Sequence, residues 1–178
     1  MDIQQQKQLK VLLVGDSCED IYHYGSCERL SPEAPVPVLK LQYTEKKPGM
    51  VLNVKRNLES FAVHVDVLTN KEEITKERFV DIKTKNHLLR FDTGEHWPLP
   101  LIEPHLLEKI NFDEYDAVAI VDYNKGTLNK ENTKIISQRC QQNKTPLFVD
   151  SKRKDLSVYN NCILKINDKE EGKVTKFP

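Results

Sequence analysis

The chain has 178 residues, about the length of one domain. Its 27 Lys+Arg and 27 Asp+Glu cancel, and Lys outnumbers Arg by 21 to 6, so neither nucleic acid nor an anionic membrane is expected as a partner. Apolar residues make up 38% and charged residues 30%, with neither a run near the ~20 apolar residues that span a bilayer nor a signal-peptide pattern. The expectation is a soluble, cytoplasmic protein with one core beneath a very polar surface.

Residues 1–10 are polar, with consecutive glutamines, and read as a lead-in to a domain over 11–178. Residues 10–15 (K-V-L-L-V-G) are a short continuous apolar run, the pattern of a buried parallel strand, and Asp16 and Asp20 follow it. Aromatic residues near 21–24 and the alternating, proline-punctuated stretch 34–43 read as two short strands. Pro35 and Pro37 confine the second of these to a sheet edge. Pro48 and Gly49 break the chain before a helix over 50–61, with Val51, Val54, Leu58 and Phe61 on one stripe. Residues 63–69 alternate as a second core strand, and 74–82 with 87–92 form a hairpin or edge pair.

Pro98 and Pro100 precede a short helix over 101–110. Residues 115–122 repeat the pattern of an apolar run closed by Asp122, and Asn129 caps a helix to about 142. Runs at 145–150 and 162–167 end in Asp150 and Asn167. Strand, polar tip and helix in alternation predict an α/β fold with a mainly parallel sheet. Asp16, Asp122, Asp150 and Asn167 would then share the carboxyl edge of that sheet, where such folds bind ligands. A carboxylate there orients sugar hydroxyls, holds Mg²⁺, or caps a following helix.

The four cysteines (Cys18, Cys27, Cys140, Cys162) form no C-x-x-C pair, and the five histidines (His23, His64, His87, His96, His105) have no H-x-x-x-H spacing. No metal site and no disulfide framework are expected. Within an alternating strand, His64 reads as a solvent-face residue, and Trp97 as either a core plug or an exposed contact. The six glycines, at 15, 25, 49, 94, 126 and 172, permit neither a Walker loop nor G-x-G-x-x-G.

Several stretches resemble the ribokinase-type (PfkB) carbohydrate kinases, and within them the heptose-7-phosphate kinase domain of ADP-heptose synthesis. Residues 14–25 resemble that family's first strand and its G-D-x-x-x-D-x-Y-x-x-G tip. Residues 29–38 (R-L-S-P-E-A-P-V-P-V) nearly spell its lid motif, and 48–57 (P-G-M-V-L-N-V-K-R-N) resemble P-G-G-A-A-N-V-A-x-N. The segments L-L-R-F-D (88–92), D-Y-N-K-G (122–126), V-D-S-K (149–152) and N-D-K-E (167–170) follow in family order. The resemblance implies a ribokinase-like three-layer sandwich, truncated, with a small β lid.

It also implies roles for individual residues. Asp20, with Asp16 beside it, Gly49 and Asn53 would contact sugar hydroxyls. Lys125 and Lys152 would meet a phosphate on the ligand, and Asn167 and Glu170 match the nucleotide–phosphate region. Each has a plainer reading: a solvated lysine, or an asparagine that anchors a helix start. The lid strands would pair with those of a second subunit, giving a homodimer.

Three departures bear on activity. Met50 replaces the second glycine of the family's pair, the chain passes almost directly from Thr69 to Ile74 where the family has an extra stretch, and no G-x-G-D is present. The expected function is therefore a non-catalytic or degenerate kinase-like protein that binds a sugar phosphate or a protein partner. One alternative is an ATP- and Mg²⁺-dependent sugar kinase completed by a missing carboxyl half; the other is a scaffold whose old pocket is filled by Met50 and its neighbours.

Overall fold

A computed structural model of the chain describes residues 7–95, 102–167, 171–172 and 174–176. Among them, strands β1 (Lys10–Gly15), β4 (His64–Leu68), β7 (Ala117–Asp122), β8 (Leu147–Ser151) and β9 (Ile163–Lys165) form a parallel sheet in the order β4-β1-β7-β8-β9. A second sheet, the lid, has the order β3-β2-β5-β6 from β2 (Ser17–Leu30), β3 (Pro37–Met50), β5 (Thr75–Asp81) and β6 (His87–Thr93).

Successive side chains of a strand point to opposite faces, and a central parallel strand is covered on both. This accounts for the unbroken apolar run of β1. Leu13 packs with Val51, Val65 and Val121 beneath helix α1 (Val51–Glu59). Leu12 and Val14 face the other way, into a larger core with Ile120, Val149, Leu107 of α2 (Pro104–Glu108) and Ile136 of α3 (Lys130–Asn143). Helix, sheet and helix thus make three layers. The Asn129 side chain accepts the Asn132 N–H at the start of α3, as its position predicts.

The lid is larger than the two short strands expected at 21–24 and 34–43. Strands β2 and β3 run 14 residues each, and the 75–81/87–93 hairpin joins them because β5 lies parallel to β2. Pro48 and Gly49 do not break the chain; β3 continues through them to Met50, and Pro37 opens it at the sheet edge. The helix begins at Val51 rather than Met50 and ends at Glu59. Phe61, expected on its buried stripe, lies in the following turn and is 79% exposed, since Ala62 takes a positive φ of 59° to turn the chain into β4. Tyr115 precedes β7 and donates its hydroxyl to Asp66 instead of extending the strand. The helix expected over 101–110 is limited to α2, with residue 101, His96, Trp97 and Glu170 outside the described residues. No helix among the described residues is long and apolar enough to cross a membrane.

Only residues 69–74 carry the chain from β4 to β5. Asn70 makes this short cut possible. Its Oδ1 accepts the Ser17 N–H at 2.7 Å and the Thr69 hydroxyl at 3.0 Å, while its Nδ2 donates to the carbonyls of Glu72 (2.6 Å) and Ser17 (3.3 Å). It therefore satisfies the backbone where β2 leaves the core. Asn70→Ala leaves those groups unpaired and is expected to lower unfolding free energy by about 1–3 kcal/mol. Urea denaturation followed by circular dichroism reads the change, and an unchanged midpoint would remove Asn70 from this role.

Candidate functional site

The carboxyl edge of the parallel sheet meets the root of the lid at Asp16, which is 1% exposed. Its backbone N–H donates to the Val121 carbonyl and its carbonyl accepts the Val51 N–H, so one residue joins β1, β7 and the start of α1. Its Oδ2 accepts the N–H groups of Tyr123 (2.8 Å) and Lys125 (3.3 Å), shaping the loop after β7. Burial lifts the Asp16 carboxyl above its ordinary range; the Thr127 hydroxyl opposes the rise and the Asp122 carboxylate adds to it. Asp16 thus sits beneath the seam, holding the loop that presents Lys125.

Asp20 lies on the lid, on the face that carries Lys47 and Lys76 on its neighbouring strands. Its Oδ1 accepts from the Arg78 guanidinium at 2.7 Å, and that guanidinium also lies 5.0 Å from the Tyr22 ring centroid, opposite Lys47 at 5.2 Å. Gly49 faces Asp20 so closely that a Cβ there would stand 2.5 Å from Asp20 Oδ2 and 2.4 Å from Cys18 Sγ. Any larger residue at 49 would push these two side-chain ends aside.

The next residue is the reverse case. Met50 holds φ 52° and ψ −126°, a region that disfavours any Cβ, and caps α1 without a side-chain hydrogen bond. Its side chain is 6% exposed and packs with Cys18, Ile74 and the partly buried Tyr123. The same burial, with the Asp20 charge adding to it, pushes the Cys18 thiol up to about 11, so this thiol stays protonated. Asn53, one turn into α1, accepts from Arg56 at 3.1 Å.

Lid and core are tied by Glu95, just past β6. One carboxylate oxygen meets Lys76 of the lid at 2.9 Å and the other meets Lys125 of the core loop at 2.7 Å. All three side chains are at least three-quarters buried. Burial alone would raise the Glu95 carboxyl, but the Lys125 and Lys76 ammonium groups outweigh it and hold it below the usual range.

The remaining strand tips divide into structure and surface. Asp122 accepts from Arg153 and Tyr159 on one oxygen and from the Asn124 N–H on the other, a buried network that locks the loop after β8. Asp150 meets Lys165 at 3.0 Å and Lys152 at 3.7 Å, and Lys152 lies 5.8 Å from the Tyr123 ring. Asn167 lies exposed beyond the end of β9. The fold therefore brings Asp20, Gly49, Lys125 and Lys152 around the Met50–Tyr123 contact, with Asp16 below it. Among the described residues no group of three His, Cys, Asp or Glu side chains is placed to hold a metal ion.

Lys76, Arg78 and Glu95 are the site residues that the sequence alone does not single out. The available signal was Lys76 and Arg78 two apart, on one face of an alternating strand. It becomes readable only once β5 is known to lie parallel to β2.

No protein-family model matches the chain. It is 33% identical over 186 residues to the bifunctional protein HldE of Pasteurella multocida, covering 89% of this chain and 38% of that protein. With the HldE of Helicobacter pylori strain P12 it shares 33% over 187 residues, covering 87% and 40%. The chain thus spans about 40% of the length of the curated relatives it matches. The aligned positions outnumber the residues of this chain that they cover, so these relatives carry internal residues that it lacks.

Among solved structures, phosphofructokinase-2 from Escherichia coli in complex with potassium matches with a TM-score of 0.57 at 16% identity, covering 94% of this chain and 62% of that one. The same enzyme in complex with fructose-6-phosphate gives 0.54 at 15%, covering 95% and 64%. The resemblance read from the motifs therefore stands in both respects. The chain is similar in sequence to the HldE proteins, and its fold is that of the ribokinase-like carbohydrate kinases.

The backbone at Met50 makes a measurable prediction. Met50→Ala keeps a strained Cβ and loses the buried side chain, whereas Met50→Gly loses the side chain but relieves the backbone. Glycine is expected to be the more stable of the two variants by about 1 kcal/mol, the reverse of the usual order inside regular structure. Parallel urea melts decide it; an alanine variant at least as stable as the glycine variant would contradict strain at this position.

Proposed function

We propose that this chain is a sugar-phosphate-binding protein of carbohydrate-kinase type that works in the cytoplasm and, with its own residues, binds without transferring phosphate. The observation that carries the reading is the charge at the seam. Lys76, Arg78, Lys125, Lys152 and Lys165 gather with Asp20, Glu95 and Asp150 where the carboxyl edge faces the lid, a set of cations that a phosphate would recruit. Asp20 and Asn53 would take sugar hydroxyls, with Gly49 keeping the backbone close. Lys125 and Lys152 would take the phosphate. A protein of the same fold, phosphofructokinase-2, has been solved with fructose-6-phosphate, which agrees with this ligand class.

Two features favour binding over catalysis. Met50 follows Gly49 at the glycine position of the family pattern and fills space against Cys18, Ile74 and Tyr123 with a buried side chain. In addition, phosphoryl transfer needs a base and donors for the developing charge, and the glycines of these 178 residues build no G-x-G-D anion hole. ATP and Mg²⁺ would enter only if groups outside this sequence completed the site, the setting in which Asn167 and Glu170 would act. Isothermal titration with mannose 6-phosphate, sedoheptulose 7-phosphate and their unphosphorylated sugars tests the reading. Binding of a phosphorylated sugar that falls about tenfold or more in Asp20→Ala supports it. No binding of any of them, or ATP-dependent turnover by the purified chain, overturns it.

We also propose a homodimer through the lid. Strand β3 is one edge of that sheet among the described residues, and Leu41 and Tyr43 on it are 59% and 54% exposed. Such an edge invites pairing. Sedimentation equilibrium should give a dimer that Leu41→Lys shifts toward monomer; a monomer at all concentrations would exclude this surface.

A further inference from the structure

The bridge from Lys76 through Glu95 to Lys125 suggests how an anion enters the seam. Lys76 belongs to the lid and Lys125 to a core loop, and among the described residues neither ammonium group has another ion-pair partner. Two buried like charges would repel without a shared anion between them. Glu95 supplies that anion, one oxygen to each lysine. The carboxylate carries a single negative charge against the two positive ones that it bridges. A phosphate monoester, with nearly two negative charges and three acceptor oxygens, matches the lysine pair better than the carboxylate does.

The backbone beside Glu95 is built for this placement. Gly94 holds φ +76°, and a Cβ on it would stand 2.5 Å from the Glu73 carbonyl oxygen, so only glycine lets the chain turn there. The turn follows directly on β6, whose Thr93 is pinned to Thr75 by a 2.6 Å hydrogen bond between hydroxyls. Glu95 is therefore delivered over the lid face that carries Asp20 and Lys76. The neighbouring cation Arg78 is occupied by Asp20 in the same manner.

We propose that Glu95 is a resident stand-in for the ligand's phosphate. In the empty protein its carboxylate holds Lys76 and Lys125 together, and a phosphorylated sugar displaces it from one or both lysines, so that Glu95 sets the affinity threshold and Lys76 is a phosphate-binding residue. This rests on the reading of the seam as a sugar-phosphate site, and it adds a competitor for the ligand within the chain itself.

The experiment compares wild type, Glu95→Gln, Lys76→Gln and the double variant by isothermal titration with inorganic phosphate and with mannose 6-phosphate, after circular dichroism has confirmed the fold. Glu95→Gln is expected to bind both probes about tenfold more tightly than wild type, Lys76→Gln about tenfold more weakly, and the double variant to show no gain. Unchanged or weaker binding of both probes by folded Glu95→Gln overturns the inference. If wild type binds the sugar phosphate through Asp20 while Glu95→Gln and Lys76→Gln change nothing, the proposed function survives and this inference fails. If wild type binds no sugar phosphate but Glu95→Gln gains inorganic phosphate, the proposed function fails and the stand-in role holds. Where Glu95→Gln does not fold, Glu95→Asp, too short to reach both ammonium groups, takes its place with the same expectations.

Discussion

The structure depends on what is done with one buried carboxylate. Asp16 stands where β1 has ended, where the chain leaves the core to build the lid, and where β3 brings it back to start α1. Burying a charge is tolerable only when hydrogen bonds replace the lost water. Two backbone amides of the loop after β7 do so here. The exchange works in both directions. One carboxylate oxygen, Oδ2, gains both bonds, and the loop that carries Tyr123 and Lys125 acquires a fixed place beneath the lid. An Asp at the tip of a parallel strand therefore need not touch a ligand to matter to ligand binding; it can fix the residues that do.

The short passage from β4 to β5 is the second constraint. The HldE relatives carry internal residues that the present chain lacks, and here the passage between these strands is closed by a single asparagine side chain. An amide offers both an acceptor and donors, and Asn70 uses both on backbone groups of its own loop and of β2. The short passage thereby keeps β5 in parallel register with β2, and that register puts Lys76 opposite Asp20 and Arg78 opposite Tyr22. The pairing of Lys76 and Arg78 with the Asp20 face of the lid follows from this register.

Much of this was legible in the sequence, for identifiable reasons. Continuous apolar runs closed by a polar residue marked β1, β7 and β8, because a parallel strand covered on both faces has no polar alternation to show. The edge position of β3 could be read from its prolines, which cannot donate to a ladder. What could not be read was anything set by pairing between segments far apart in the chain. The joining of the 75–81 strand to β2, and with it the roles of Lys76 and Arg78, depends on long-range register that no local pattern encodes. Glu95 was hidden for a similar reason: its partners lie 19 residues before it on the lid and 30 residues after it in the core. Asp16 and Asp122 were visible as strand tips, yet their partners are backbone amides and a buried Arg153–Tyr159 pair, which sequence does not locate.

Met50 makes a final link between these observations. A backbone conformation suited to glycine persists at this position although the side chain is large, so the geometry of the turn into α1 is imposed from outside the residue. The imposing contacts can be named: the Val51 N–H bonded to the Asp16 carbonyl, and Gly49 pressed against Asp20 and Cys18. The methionine side chain then recovers part of the cost by burying itself against Cys18, Ile74 and Tyr123. A turn that keeps this shape with the wrong residue in it indicates that the seam is held from several sides at once. Such a seam can hold its lysines and carboxylates in place without a ligand, since the chain's own carboxylates already occupy the cations that a ligand would otherwise have to order.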